Sequence, residues 1–239
     1  MDELGVVEEL PVLRKNRSST GIKELDIILE GGYRNPGNIL ITGPSGMEKT
    51  AFSFHFGDAA QGNENVYFIC GDSSPEEIIK KAETIGIKLN KPHIKFIDCY
   101  TMTLGGKKEE IQSTEKIKVI SGPGALNDLS LELNEAIRES TGKKMRVIFH
   151  TLSTFVLYNP QDSIRKFLNV IEGRLKTAGA TTCYMVDEGV HDKQLMGLLE
   201  HGMDEKYYIT EKDGGYYLEV PLLSYDIPIK LGPSGINIV

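Results

Sequence analysis

No run in this chain comes near the roughly 18 consecutive apolar residues of a membrane span. The opening stretch, MDELGVVEELPVLRKNRSS, brings acidic side chains at once and has no apolar core, so it reads as no secretory leader. Cysteine is scarce: Cys70, Cys99 and Cys183 lie far apart, each inside an apolar strand-like run. That spacing forms no ligand cluster and predicts buried, reduced thiols in a cytoplasmic protein. Basic side chains are outnumbered, 27 against 34 acidic ones, for a net charge of −7. This balance removes the general electrostatic argument for nucleic acid as a partner. The short basic spots Lys107-Lys108 and Lys143-Lys144-Met145-Arg146 read as solvated surface.

What is present fits an ordinary globular protein. The 239 residues, 40% hydrophobic and 26% charged, suffice for one domain with a well-buried core. Residues 1–18 read as a loosely docked lead-in and 19–239 as a single domain. Short apolar segments (GNILITG, NVYFIC, IKFIDCY, MRVIFHTL, TTCYMV) alternate with amphipathic helical patterns. In STGIKELDIILEGG, Ser19 or Thr20 is placed to cap a helix that Gly31-Gly32 stops. In SPEEIIKKAETIG, Ser74 caps, Pro75 takes the first helical position, and Gly86 ends the helix. Residues 101–124 are polar and irregular, with a short strand at KIKVI, and read as an insertion.

The tail KYYITEKDGGYYLEVPLL predicts a hairpin around Asp213-Gly214-Gly215, and GINIV a last strand. Tyr207, Tyr208, Tyr216 and Tyr217 on that hairpin suit cross-strand packing, with base stacking as the rival use. The alternation as a whole predicts an α/β fold: a mostly parallel sheet covered on both faces, extended by an antiparallel hairpin.

The segment ITGPSGMEKTAFSF raises a chemical question. A phosphate-binding loop needs backbone N–H groups converging at a helix N-terminus, a lysine for the outer phosphates and a hydroxyl for the metal. Gly43, Lys49 and Thr50 meet that need, and the loop between them is Pro44, Ser45, Gly46, Met47 and Glu48. Glu48 stands where a glycine would precede the lysine. Its side chain would bring a Cβ and a negative charge toward the phosphates, and like charges at about 4 Å repel by roughly 1–4 kcal/mol.

Over nearly its whole length the chain is similar to the KaiC-like branch of the RecA-type P-loop ATPases. The resemblance is carried by STGIKELDIILEGGYRNPGNILITGPSG, by Asp72-Ser73 with the SPEEI after it, by RVIFHTLSTFVLYN and by GVHDKQLMGLLEHGMDEKYYI. It implies a RecA-like fold, ATP and magnesium held by residues 43–50, and Thr50 as the protein's metal-side hydroxyl. It also implies self-association or association with active relatives. Against that pattern stand four departures. Glu48 is the first. At the end of the Walker B strand, where the family has an aspartate, this chain has His150, read as a packed histidine bonded to a neighbour; Thr151 after it adds a hydroxyl without charge.

The family's carboxylate pair is reduced to Asp72 followed by Ser73, leaving Asp72 as the one general-base candidate. Pro221, Leu222 and Leu223 occupy the place of a basic segment that would reach a neighbour's nucleotide. Asp192, beside His191, reads as a helix cap rather than an acid/base group. The expectation is therefore a degenerate P-loop protein, regulatory or scaffolding, with weak or no ATP binding and little or no hydrolysis. Two rivals stand beside it: an ATPase of altered geometry working through Lys49, Thr50 and Asp72, and an accessory protein of DNA recombination or repair.

Overall fold

Alternation along the strands decides which helices cover which face of the sheet. In this computed structural model, which describes residues 16–105 and 113–239, Ile39 and Ile41 of β3 (Gly37–Gly43) point into one apolar cluster and Leu40 into another. The first cluster takes in α1 (Lys23–Ile28), α2 (Met47–Asp58) and α3 (Pro75–Thr84). The second takes in α4 (Leu126–Glu139), α5 (Leu152–Tyr158), α6 (Gln161–Thr177) and α7 (Lys193–His201). Period-two side-chain direction in the strands produces this division.

The remaining strands are β1 (Arg17–Ser18), β2 (Tyr33–Arg34), β4 (Glu64–Cys70), β5 (Ile94–Asp98), β6 (Ile117–Val119), β7 (Lys144–Phe149) and β8 (Ala180–Asp187). After α7 come β9 (Glu205–Lys212), β10 (Gly215–Glu219), β11 (Ile227–Gly232) and β12 (Gly235–Ile238). Among the described residues the main sheet has ten strands in the order β12-β11-β10-β9-β3-β8-β7-β4-β5-β6. From β9 across to β6 every neighbouring pair is parallel, and β10, β11 and β12 add antiparallel strands at the other edge. This is the α/β architecture of a RecA-like fold.

Several local readings need correction. Ser19 and Thr20 do not cap α1, whose N-cap is Ile22 with no side-chain bond. Instead the Asp26 carboxylate inside the helix accepts from the Ser19 hydroxyl at 2.5 Å and from the Thr20 N–H and hydroxyl at 2.7 Å each. Arg17 and Ser18, assigned to the lead-in, form β1 against β2, and Ser18 is buried. Residues 1–15 of that lead-in and 106–112 of the 101–124 insertion lie outside the described residues. Helix α5 and strand β11 have no counterpart in the elements read from the sequence.

Other signals hold. Ser74 and Glu77 form a full capping box on α3, and the Asp192 carboxylate accepts from the Leu195 N–H at 2.8 Å to cap α7. Asp213 and Gly214 turn the β9–β10 hairpin with φ of 51° and 74°. Gly32 has φ of 104°, and a Cβ there would lie 2.2 Å from the Ser18 carbonyl oxygen, so the double glycine fits both a turn and a close approach. The three cysteines are buried and free. Among the described residues no helix is long and apolar enough to cross a membrane.

Arg146, on β7, is a buried cation under the sheet's first face. Its guanidinium donates to the Glu64 carboxylate at 2.6 Å and to the carbonyls of Ser19 and Phe56 at 2.8 and 2.9 Å, and lies 4.7 Å from the Phe56 ring centre. These bonds join the β1–α1 lead to α2 and to strands that end at the cleft described next.

Candidate functional site

The C-terminal ends of β3, β8, β7 and β4 open onto one cleft, the place where open α/β sheets take their ligands. It encloses about 300 Å³, and its walls include Ser45, Lys49, Thr50, Asp72, Lys81, His150 and Asp187. Gly46, Met47 and Thr151 complete them, so Ser45, Gly46, Met47, Lys49 and Thr50 of the loop all line the cleft. Gly43 ends β3, and a Cβ on it would approach Ile209 of β9 to 2.8 Å, so strand packing as well as the loop demands this glycine. Pro44 is half-buried outside the walls, and Gly46 is the N-cap of α2 in an extended conformation.

Glu48 is the exception. It does not line the cleft. Its carboxylate folds back over the loop, where a Cβ on Gly46 would come within 3.0 Å of one oxygen. It also acts on Tyr216 of β10, as the foremost cause, ahead of Glu211, of a raised phenol pKa. Successive helical residues diverge by about 100°, so Lys49 can turn inward while Glu48 turns toward the hairpin. Inside the cleft the obstacle to an anion is another residue. Asp187, at the end of β8, accepts from the Lys49 ammonium and, on the same oxygen, from the Ser45 hydroxyl at 2.7 Å. Lys49 is 5% exposed, so this is a nearly buried cation already satisfied by a carboxylate.

Backbone bonds hold Asp187 in place. The Asp187 N–H donates to the Ser153 hydroxyl at 2.8 Å, and the Glu188 N–H donates to the Gly43 carbonyl at 2.8 Å. Parallel pairing puts Asp187 directly across from Gly43. Burial alone would raise the Asp187 carboxyl, but the bonds from Lys49 and Ser45 and the lysine charge overcome it and hold the pKa below the ordinary carboxylate range. Asp187 is an anion at neutral pH.

His150 follows β7 into the cleft wall. Its Nδ1 lies 3.1 Å from the Ser53 hydroxyl, and its ring stacks on Phe54 with centres 5.4 Å apart. Burial, then the positive charges of Lys81 and Lys49, push its pKa down to about 3. It is a neutral packed imidazole, as its surroundings in the sequence suggest. Asp72 reaches solvent on one side, yet its pKa is raised, first by lost hydration and also by Asp187, against the opposing charge of Lys81. Lys81, near the C-terminal end of α3, donates to the Ser73 hydroxyl at 3.2 Å.

Two residues of the cleft escape sequence reasoning. Asp187 ends an apolar strand that the pattern closes at Val186, and Lys81 sits on an exposed helix face where a lysine ordinarily reads as solvated. A strand-end acid beside the loop strand is the available signal for the first. Spacing offers none for the second. Of the hairpin tyrosines, Tyr207 is buried against Tyr33, ring centres 5.2 Å apart, in line with packing. Leu222 is 85% exposed in the turn after β10, an apolar side chain presented where the resemblance would place a basic one.

Phosphates fit part of this donor set: Lys49, Lys81, Thr50 and the N–H groups of the first turn of α2 can hold them. A divalent cation fits poorly at the end of β7, where a neutral imidazole supplies no anionic oxygen.

A parallel sheet, a glycine loop leading into a helix, and an inward lysine-hydroxyl pair define a P-loop protein of the RecA-like class. The family model described as "ATPase: KaiC" matches residues 18–206, most of the chain, and the chain belongs to that family. A UPF0273 protein of Thermotoga maritima is 27% identical over 194 residues, 79% of this chain and 77% of its own length. The circadian clock oscillator protein KaiC of Prochlorococcus marinus is 26% identical over 165 residues, 68% of this chain but 31% of its own. A UPF0273 protein of Pyrococcus horikoshii is 25% identical over 196 residues, with 79% and 75% covered. The chain thus spans about a third of the clock proteins it matches and most of the UPF0273 proteins.

Proposed function

We propose that this protein is a KaiC-family member that binds a nucleotide weakly through its phosphates, hydrolyses it little, and acts through binding as a regulatory or scaffolding partner of itself or of active relatives. The observation that carries the reading is the Lys49–Asp187 pair, reinforced by Ser45 inside the cleft. An incoming phosphate must take Lys49 from a carboxylate already in contact with it. A charge-assisted hydrogen bond of this kind contributes roughly 1.5–3 kcal/mol, which is subtracted from the ligand's affinity. At the end of β7, His150 brings no charge to organise magnesium. Asp72, followed in the chain by Ser73 and not by a second acid, is the remaining candidate base.

Calorimetry with ATP and a phosphate-release assay test this reading together. Binding in the range of about 0.1–1 mM, which corresponds to roughly 4–5.5 kcal/mol, with turnover at the background level, is the expected result. Brisk magnesium-dependent turnover that Lys49→Ala abolishes refutes it.

A further inference from the structure

An anionic ligand entering the cleft meets two unlike walls. At the end of β7 the cleft is lined by His150, whose ring is held by Ser53 and stacked on Phe54, and by Thr151, neither of which offers a cation an anionic oxygen. On another wall stands Lys81, an ammonium with three donors, one of which reaches the Ser73 hydroxyl. Lys81 lines the same cleft as His150 and Asp72. The carboxylate nearest the lysine of the loop, Asp187, has its Oδ1 engaged by both Ser45 and Lys49.

We propose that this cleft takes a phosphate chain without a divalent cation, the Lys81 ammonium supplying from α3 the positive charge that magnesium would otherwise bring. The inference rests on the phosphate-site reading above and adds to it the ligand's ionic form. A magnesium ion entering with the ligand meets a positive charge at Lys81 and a neutral ring at His150. Of the two carboxylates in the cleft, Asp187 is already bonded to Lys49 and Ser45, and Asp72 shares its surroundings with Lys81. The metal-free anion instead finds two ammonium groups, Lys49 and Lys81, lining the cleft. Thr50 then serves as a hydroxyl donor to phosphate and not as a metal ligand. The recognised chemistry is the polyanionic chain itself, with or without a nucleoside attached.

Titration calorimetry on the full chain, with ATP and with inorganic tripolyphosphate, each in EDTA and in excess magnesium, reads this directly. The expected result is tripolyphosphate binding in EDTA at least as tight as in magnesium. Lys81→Ala weakens the binding in EDTA by about tenfold or more, and Lys81→Arg retains it. Lys81 is exposed on α3, and circular dichroism of both variants verifies that they fold. Loss of tripolyphosphate binding in EDTA overturns the inference, as does a Lys81→Ala variant that binds as tightly as the parent. ATP binding seen only with magnesium refutes the metal-free mode while leaving the nucleotide reading intact. Tripolyphosphate bound in EDTA, with ATP rejected in both buffers, refutes the nucleotide and upholds the metal-free cleft.

Discussion

Replacing Asp187 with asparagine removes one negative charge from the cleft and keeps the shape. In the parent, Lys49 is 5% exposed and bonded to Asp187, so any phosphate that recruits the lysine first breaks that contact. The substituted amide would leave Lys49 with a neutral partner, and an amide oxygen holds an ammonium less strongly than a carboxylate does. Removing the competing charge-assisted bond returns roughly 1.5–3 kcal/mol to the ligand, or about 10–150-fold in Kd. Loss of like-charge repulsion between Asp187 and the phosphate adds to this gain, by about 1 kcal/mol or more at short range.

The same substitution destabilises the protein without ligand, because a nearly buried ammonium loses its counter-ion. Calorimetry with tripolyphosphate and ATP measures the first effect and thermal unfolding the second. The two must move in opposite directions: tighter ligand binding and a lower Tm that ligand restores. If Asp187→Asn binds either anion no better than the parent, Asp187 is not a competitor for Lys49. A weaker variant would mean that Asp187 positions the lysine for its ligand, and the competitive reading would fall.

The remaining predictions concern protonation inside the fold. His150 has a folded pKa of about 3 against an ordinary 6.5, so the unfolded chain binds the proton first as pH falls. Stability is whole above 6.5 and declines below it by about 1.4 kcal/mol per pH unit, and His150→Phe removes that part of the slope in urea titrations at pH 4–7. A slope unchanged by the substitution would show that the ring is not a buried neutral group. Glu172 on α6 carries the reverse sign: burial, and then Asp204, raise its carboxyl to about 7. Here the folded state holds the proton longer, so stability is whole below the ordinary value near 4.5 and is lost as pH rises toward 7. Glu172→Gln, which mimics the protonated form, should recover about 2–3 kcal/mol at pH 8 and nothing at pH 4.5, read as Tm at both pH values. An equal effect at both would assign the gain to packing.

Much of this architecture is legible because it depends on local rules. The alternation of Ile39, Leu40 and Ile41 decides two faces whatever the rest of the chain does, and Ser74 with Glu77 caps its helix within four residues. Asp192 is legible for the same reason. The cap of α1 misleads because Asp26, a residue inside the helix, competes for the hydroxyls of Ser19 and Thr20. In the cleft, Lys49 and Thr50 follow from the loop motif. Glu48 does not, because its direction depends on the rotation of α2 and on where Tyr216 lies, and β10 reaches that place only through the order of the strands. Asp187 and Lys81 come from segments separated by more than a hundred residues, and no spacing records that they meet.

The charges that meet there would, on the proposed reading, make the site weak without a glutamate intruding from the loop. Lys49 and Lys81 oppose Asp72 and Asp187, so the cleft is balanced by its own side chains. A site already neutral gains little from admitting a further anion, since each phosphate charge must displace a carboxylate or share an ammonium with one. Magnesium would correct the balance only where a carboxylate was free to help hold it; the end of β7 offers the neutral His150, and Asp187 is already bonded to Lys49 and Ser45. The imidazole on one strand and the lysine on α3 therefore act on the same quantity, the net charge that a bound phosphate must face. On this reading, poor catalysis and a selective anion cleft are two consequences of one charge arrangement.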